Sequence, residues 1–485
     1  MNFNSVQFLF LFLPAALSIY LLVPYRFRNG VLAAESLIFY SIGNIRFLPL
    51  LLLLVTLDYA AARRLEREDA PAAWEHAAAQ ESVAGREALG TAARRALFLF
   101  VLFLNLALLF LFKYGDYLIS LMEKFGEYGF STLTVFDVLP LGISYYTLKL
   151  LSYVIDVYTG KCRAERDLVT FTAYAAMYPQ LIIGPIVRYR DAAPDLHKLE
   201  ERVSADKFTS GAEMFVFGLA KKVILADSLA VLWEAVAGSD GAGFGNVSSG
   251  LAWIGVCACS LRLYLDFSGC SEMSNGLSLM MGIRCRPNFD HPYCAGNFSD
   301  FWNRWHISLT HWFRDYIYIP LGGNRKGKGR QLFNMFVVWV VTAFWHGVTP
   351  NFLAWGMLNY TLTAVEKLGF RRFLDRHGFL SHLYVVFFSM LGWSVFSLPG
   401  TGISTGEMLQ KLLVPQNGIG AGYYVRCYGI LLVLSAVTAA GLFEKLWEKT
   451  SGKPLVRAIL FCLLLLLSVA YLIGQSNLPA LYASF

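Results

Sequence analysis

Twelve apolar stretches, each able to cross or deeply enter a hydrocarbon layer about 30 Å thick, recur along the whole chain. They lie near 7–24, 31–62, 96–113, 133–158, 168–187, 210–235, 249–281, 332–349, 351–365, 380–398, 424–443 and 456–475. A chain patterned this way must fold against lipid. Charged residues make up only 15% of its 485, against about 25% in a soluble domain, and mean hydropathy is +0.49. Disordered, collagen-like and disulfide-stapled classes are excluded by the same composition. The expectation is an all-α, multi-pass membrane protein forming one membrane domain over 1–485.

Several of the stretches are interrupted. Pro140, Gly142, Pro179, Gly184 and Pro185 all fall at membrane depth. Irregular backbone is tolerated there where it lines a protein-enclosed cavity and not where it meets lipid, so the breaks predict a bundle surrounding a cavity. No Lys or Arg precedes the first run at Phe8, whereas Arg26 and Arg28 follow it. The first span is therefore expected to enter from outside and to be retained, without the basic n-region of a cleaved signal. Residues 63–95 carry six basic and six acidic residues between Arg63-Arg64 and Arg94-Arg95, and read as a solvated cytoplasmic insertion without chemistry. No internal repeat of the kind common in secondary transporters is evident.

The net charge of +7 is concentrated. Between Arg284 and Arg330 stand Arg284, Arg286, Arg304, Arg314, Arg325, Lys326, Lys328 and Arg330 against Asp290, Asp300 and Asp315, a local excess of +5. Positive-inside flanking or lipid-headgroup contact accounts for this, and so does a docking surface for a phosphate-bearing substrate. Within the same stretch, residues 298–316 place Phe298, Phe301, Trp302, Trp305, Leu309, Trp312, Phe313 and Tyr316 in one helical arc of about 120°, opposite a charged face. That pattern predicts an amphipathic helix in the membrane interface, with His306 at the edge of the arc and His311 on the polar face.

Titratable groups inside apolar runs are the candidate chemistry. From Gln331 to Val365 there is no Asp, Glu, Lys or Arg, and one histidine, His346. An ionisable group at such a depth marks a functional site by default; the alternative is a neutral ring in an interhelical hydrogen bond, packed by Trp345. Desolvation keeps such a ring neutral and able to act as a base. His306 is the second candidate, against an interfacial histidine with one edge in water. Asp266 ends a long apolar run and either orients a histidine or caps a break at Gly269. Arg188 and Arg190 read as snorkelling side chains or as part of an anion site. His291 lies in a loop before Pro292, and His76, His197, His377 and His382 lie in polar stretches and are assigned no role. The eight cysteines include Cys257 and Cys259 in a C-x-C pair, with no histidine or second pair at zinc spacing, so neither metal nor disulfide is expected. Phosphate-loop, nucleophile-elbow and H-E-x-x-H motifs do not occur.

Taken together, the motifs resemble those of the membrane-bound O-acyltransferase family, in its bacterial alginate O-acetylation branch. The matching residues run Pro140-Leu141-Gly142-Ile143-Ser144-Tyr145-Tyr146-Thr147, Tyr153-Val154-Ile155-Asp156-Val157-Tyr158 and Tyr178-Pro179-Gln180-Leu181-Ile182-Ile183-Gly184-Pro185-Ile186-Val187-Arg188-Tyr189. They continue with Asp266-Phe267-Ser268-Gly269 and Phe301-Trp302-Asn303-Arg304-Trp305-His306-Ile307-Ser308-Leu309. Last come Phe313-Arg314-Asp315-Tyr316-Ile317-Tyr318-Ile319-Pro320-Leu321-Gly322-Gly323-Asn324-Arg325 and Trp345-His346-Gly347. The core motifs fall within 284–350.

The resemblance implies a helical bundle around a central tunnel, with re-entrant and interfacial amphipathic helices. It implies His346 as the catalytic histidine and His306 as its companion. Acetyl-CoA is the implied donor, used from the cytoplasmic side of a bacterial inner membrane, and an extracytoplasmic acetyltransferase partner and a polysaccharide are the implied recipients; no nucleic acid enters. Substrate contacts are expected from Arg304, Arg314, Asp315, Asn324, Arg325, Lys326 and Asp266. Cys270 and Glu272 depart from the branch's usual Phe-Ser-Gly-Tyr-Ser-Asp, and Asn303 and Leu148 stand where Arg and an aromatic are common. A D-alanyl transferase for teichoic acid fed by a carrier protein is the alternative within the family. A transporter using His346 as a proton relay is the alternative outside it.

Overall fold

The computed structural model describes residues 3–67, 90–125, 138–198, 203–238 and 243–474. Among these, regular structure is helical apart from one bridge between Val247 and Ile419. Six helical stretches are long and apolar enough to cross a membrane: Tyr25–Leu65, Thr91–Ile119, Ser249–Met280, Gly378–Phe396, Gly422–Ala439 and Pro454–Gly474. They coincide with the expected runs at 31–62, 96–113, 249–281, 380–398, 424–443 and 456–475. The first is jointed, with Gly43 at φ 125° separating α1 (Arg28–Asn44) from α2 (Leu48–Leu65). Pro49 opens α2 where a missing N–H costs nothing, and Arg63-Arg64 close it at the negative end of the helix dipole. The polar insertion is described only through Arg67 and from Gly90, so His76 lies outside the described residues.

Degree of burial separates two kinds of span. In the most apolar windows of Thr91–Ile119 and Pro454–Gly474 only 11% is buried within the protein, against 67% in Ser249–Met280. The first two leave most of their apolar surface outside the protein; the third is a core helix. The remaining apolar runs form shorter pieces. The stretch at 168–187 divides into Leu168–Ala175, capped by Asp167 accepting from the amides of Val169 and Thr170, and a single turn Tyr178–Leu181.

The chain forms two compact units, Met1–Met214 with Ser274–Arg286 and Phe215–Met273 with Pro287–Phe485. In the first, Gly142 precedes α3 (Ile143–Tyr158) at φ +72°, and a Cβ there would lie 2.1 Å from the Leu181 carbonyl oxygen, so only glycine fits. The buried Lys149 of α3 donates to the Tyr174 carbonyl at 2.7 Å and to Gln180 Oε1 at 3.0 Å. Asn29 ties the amino-terminal helices inward through Thr170 Oγ1 and the Leu196 carbonyl.

The second unit contains Ser249–Met273 of α4 (Ser249–Met280), followed by α5 (Phe298–Arg304), α6 (Ile307–Phe313), α7 (Gly327–His346), α8 (Pro350–Val365) and α9 (Gly378–Phe396). α7 and α8 form a hairpin in which Gly356 meets the Trp339 carbonyl and Ala343; a Cβ there would approach both within 3.1 Å. Two consecutive buried lysines in the wide turn Lys221–Ala226 each bind two carboxylates. Lys221 pairs with Glu272 and Glu444 at 2.7 Å, and Lys222 with Asp227 at 2.7 Å and Asp266 at 2.6 Å. A buried charge is retained when it is compensated in this way.

Residues 298–316 correct one expectation. The aromatic arc exists, but it belongs to two short helices instead of one. Asn297 caps α5 through the Asp300 amide at 2.8 Å, and the helix stops at Arg304. His306 then adopts φ 42°, ψ 55°, a left-handed conformation that breaks the ladder before α6 begins. Phe298, Phe301, Trp305, Leu309, Trp312 and Phe313 are buried in the protein.

Candidate active site

His346 occupies the last turn of α7 and is 3% exposed. Its ring meets Trp345 at 4.9 Å, Phe396 at 5.0 Å and Trp355 at 5.2 Å, all edge to face. Gly347 follows because the Phe352 ring packs on its α-carbon; an added Cβ would stand 2.6 Å from that ring. The Trp-His-Gly sequence is thus a helix end sealed by aromatic packing. Beyond Trp355 the aromatic wall continues through Trp393 at 5.7 Å to Trp305 at 4.3 Å, the neighbour of His306. Trp302 closes the cluster against Trp339 at 4.9 Å and donates from Nε1 to Asn359 Oδ1.

His306 is held by a different chemistry. The Asp290 amide donates to the Arg304 carbonyl and the Ile307 amide to the Asn288 carbonyl, both at 2.9 Å, so that backbone bonds clamp either side of the left-handed residue. Its Nδ1 lies 3.3 Å from Asn288 Oδ1, and its ring stands edge to face on Phe267 at 4.7 Å. Burial pushes the ring's pKa down to about 3, so His306 is neutral at physiological pH. Upstream, Glu366 anchors α5. This 1% exposed carboxylate accepts from the Phe298 amide at 2.6 Å, the Ser299 amide at 3.1 Å and Ser299 Oγ at 3.0 Å. Acid at a helix amino terminus is favourable on both hydrogen-bond and dipole grounds.

The two histidines meet at one cavity of about 410 Å³ within the second unit. Its walls are largely the tryptophan cluster and Leu309, Phe313 and Val338, while Arg314, Asn324 and Lys367 supply polar groups. Of the expected substrate contacts, Arg314 and Asn324 therefore reach the cavity. The others stand elsewhere. Asp266 is bound to Lys222, one residue before the Phe267 that packs on His306. Arg304 Nε donates to both carboxylate oxygens of Asp300, at 3.0 and 3.1 Å, and Asp315 pairs with Arg314 at 2.7 Å. Arg325 and Lys326 are exposed on the loop that leads into α7.

The basic segment likewise resolves into parts. Arg284 and Arg286 bind Asp195 and Asp191 in the first unit. Arg325, Lys326 and Lys328 have no ion pair among the described residues, and Arg330 donates to the Leu321 carbonyl at 3.2 Å. Within 284–330, the free basic surface among the described residues is confined to 325–330. Asn288 and Glu366 carry no sequence signal of their own, the first reading as a loop residue after Pro287 and the second as the polar end of an apolar run.

Comparison with known proteins adds the chemistry. A model of the membrane-bound O-acyltransferase family matches residues 164–405. The chain is 35% identical over 401 residues to the probable alginate O-acetylase AlgI of Pseudomonas putida, a match covering 82% of this chain and 77% of that protein. It is 30% identical over 395 residues to the peptidoglycan O-acetyltransferase of Helicobacter pylori, covering 75% and 70%. With the teichoic acid D-alanyltransferase of Bacillus subtilis it shares 27% identity over 230 residues, 46% and 57% of the two chains. A multi-pass helical protein with these matches belongs to the membrane-bound O-acyltransferase family, and it is an acyl-transferring enzyme.

Proposed function

We propose that this enzyme is an O-acetyltransferase of a bacterial inner membrane, taking acetyl from acetyl-CoA at the cytoplasmic face and delivering it, through a tunnel, for O-acetylation of an exported polysaccharide. The observation that carries the reading is the convergence of His346 and His306 on one largely apolar cavity. A hydroxyl oxygen attacks the thioester carbonyl while His346 takes the hydroxyl proton; the carbon–sulfur bond breaks and coenzyme A leaves as its thiol. General-base catalysis of this type contributes about 10²–10⁴-fold. His306 orients the reacting groups. Arg325, Lys326, Lys328 and Arg330 offer exposed cations to the coenzyme A phosphates. The names of two relatives, an alginate O-acetylase and a peptidoglycan O-acetyltransferase, support acetyl as the acyl group and a polysaccharide as the final acceptor; the extracytoplasmic acetyltransferase that receives it rests on the family resemblance alone. The D-alanyl alternative draws on a match covering less than half of this chain.

The test is coenzyme A release from acetyl-CoA by the protein in liposomes, with an acceptor polysaccharide and the extracytoplasmic partner supplied. Wild type should turn over, and His346→Ala should lose about 10²–10⁴-fold in kcat while keeping its melting temperature within a few degrees. A variant as active as wild type would remove His346 from the chemistry. Absence of release by wild type would overturn acetyl-CoA as donor and leave carrier-fed acyl transfer or transport.

A further inference from the structure

Asn288 is 2% exposed and lies in the loop that precedes α5. Its side-chain oxygen is assigned without ambiguity. The backbone N–H of Ser308, which can only donate, points to Oδ1 at 3.1 Å, and Ser308 Oγ lies 2.9 Å from the same atom. Oδ1 is an amide oxygen and can only accept. His306 Nδ1 stands 3.3 Å from this acceptor and 3.5 Å from Ser308 Oγ, whose own proton is directed to Oδ1 at 2.9 Å, so a proton on Nδ1 completes the arrangement where a lone pair would face those of Oδ1. A neutral imidazole has one N–H, so the lone pair of His306 is on Nε2.

We infer that Asn288 is a positioning residue, fixing His306 as the Nδ1–H tautomer so that its Nε2 meets the reacting groups as a hydrogen-bond acceptor. The inference rests on the proposed role of the cavity and narrows it. An Nε2 with a lone pair cannot polarise a thioester carbonyl, which needs a donor; it can accept from the attacking hydroxyl or from an amide N–H of the donor's pantetheine arm. The backbone supports the assignment. A non-glycine residue at φ 42° is held there against its own preference, and the clamps that hold it come from Asn288 and Asp290 on the same loop. One short segment fixes both the main chain and the ring of His306. Burial keeps the ring neutral, as this tautomer requires.

Two measurements test this, and the first does not depend on activity. Full-length protein carrying nitrogen-15 histidine in lipid nanodiscs gives separate shifts for protonated and unprotonated ring nitrogens, and His306 is identified by the signal lost in His306→Gln. The expected pattern is a protonated Nδ1 in wild type and in Asn288→Asp, which keeps the acceptor, and a changed or mixed pattern in Asn288→Leu. A protonated Nε2 in wild type, or a pattern indifferent to Asn288→Leu, overturns the inference. The second is a double-mutant cycle on coenzyme A release. Asn288→Leu should lower kcat at least tenfold with little change in KM, Asn288→Asp should restore most of it, and the loss should vanish in a His306→Gln background, since a residue acting through another adds nothing once that other is gone. Losses that multiply independently assign Asn288 to structure alone. An active His306→Gln with the expected tautomer intact in wild type overturns the proposed role of His306 and leaves the positioning by Asn288 standing.

Discussion

The two histidines of the cavity are secured in opposite ways. His346 ends a regular helix and is surrounded by rings: Trp345, Trp355 and Phe396 confine it by shape. His306 sits in a break between two helices of seven residues each and is confined by hydrogen bonds, from the backbone clamps of Asn288 and Asp290 and from the Asn288 amide. Packing fixes where a ring is and does not by itself assign its proton. A directed acceptor fixes which nitrogen bears the proton. A base that must gain and lose a proton is suited by the first arrangement, and a group that must present one unchanging face is suited by the second.

The largest break in this comparison is expected from Glu366→Ala. It removes the acceptor for two amides and a hydroxyl at the start of α5, and leaving buried donors unsatisfied costs about 1–3 kcal/mol. Thermal unfolding in detergent should show that loss. Because Glu366 binds the amino terminus of α5 directly, hydrogen exchange should show α5 loosening more than the end of α7. Equal loosening of both would show that the two sides are one structural unit.

A smaller effect sharpens the contrast at the backbone. At position 306 the φ of 42° favours glycine, so His306→Gly should be more stable than His306→Ala by about 1 kcal/mol. At position 346 the helical backbone reverses the order, and His346→Ala should be more stable than His346→Gly by a similar amount. The same order at both sites would refute the left-handed assignment.

The remaining effect is in pH. The folded-state pKa of His306 is depressed to about 3 from an ordinary value near 6.5. Between those values the unfolded chain binds a proton that the folded one refuses, so stability is fully present above pH 6.5 and is lost as pH falls toward 3. In His306→Gln, stability measured from pH 7 down to pH 4 should fall less steeply than in wild type. An unchanged slope would place the ring in a more polar setting than its burial indicates.

What the sequence revealed, and what it hid, follows the same division. His346 stood out because it is the one histidine, with no Asp, Glu, Lys or Arg, between Gln331 and Val365, and Gly142 and Pro179 announced the broken helices that the first unit contains. The aromatic arc of 298–316 was also legible, since helical periodicity is local. The break at His306 was not, because its conformation is imposed by bonds from a loop sixteen to eighteen residues earlier, and histidine itself gives no sign of a left-handed turn. Asp266 read as a lone acid near a possible histidine partner; its lysine, Lys222, stands 44 residues earlier in a stretch that periodicity treats as apolar. Asn288 was invisible for the same reason as the break it supports. Packing signals accumulate along a helix, whereas a single polar contact between distant segments leaves no pattern.

The tryptophan cluster has an optical consequence. Trp302, Trp305, Trp339, Trp355 and Trp393 are five of the eleven tryptophans, linked ring to ring at 4.3 to 6.0 Å. At such spacings light absorbed by one indole migrates among its neighbours before it is emitted, so the five behave as a single chromophore, four of whose members line the cavity. A molecule entering beside His346 would dim or shift the glow of all of them at once, giving the enzyme a built-in lamp for occupancy that needs no label.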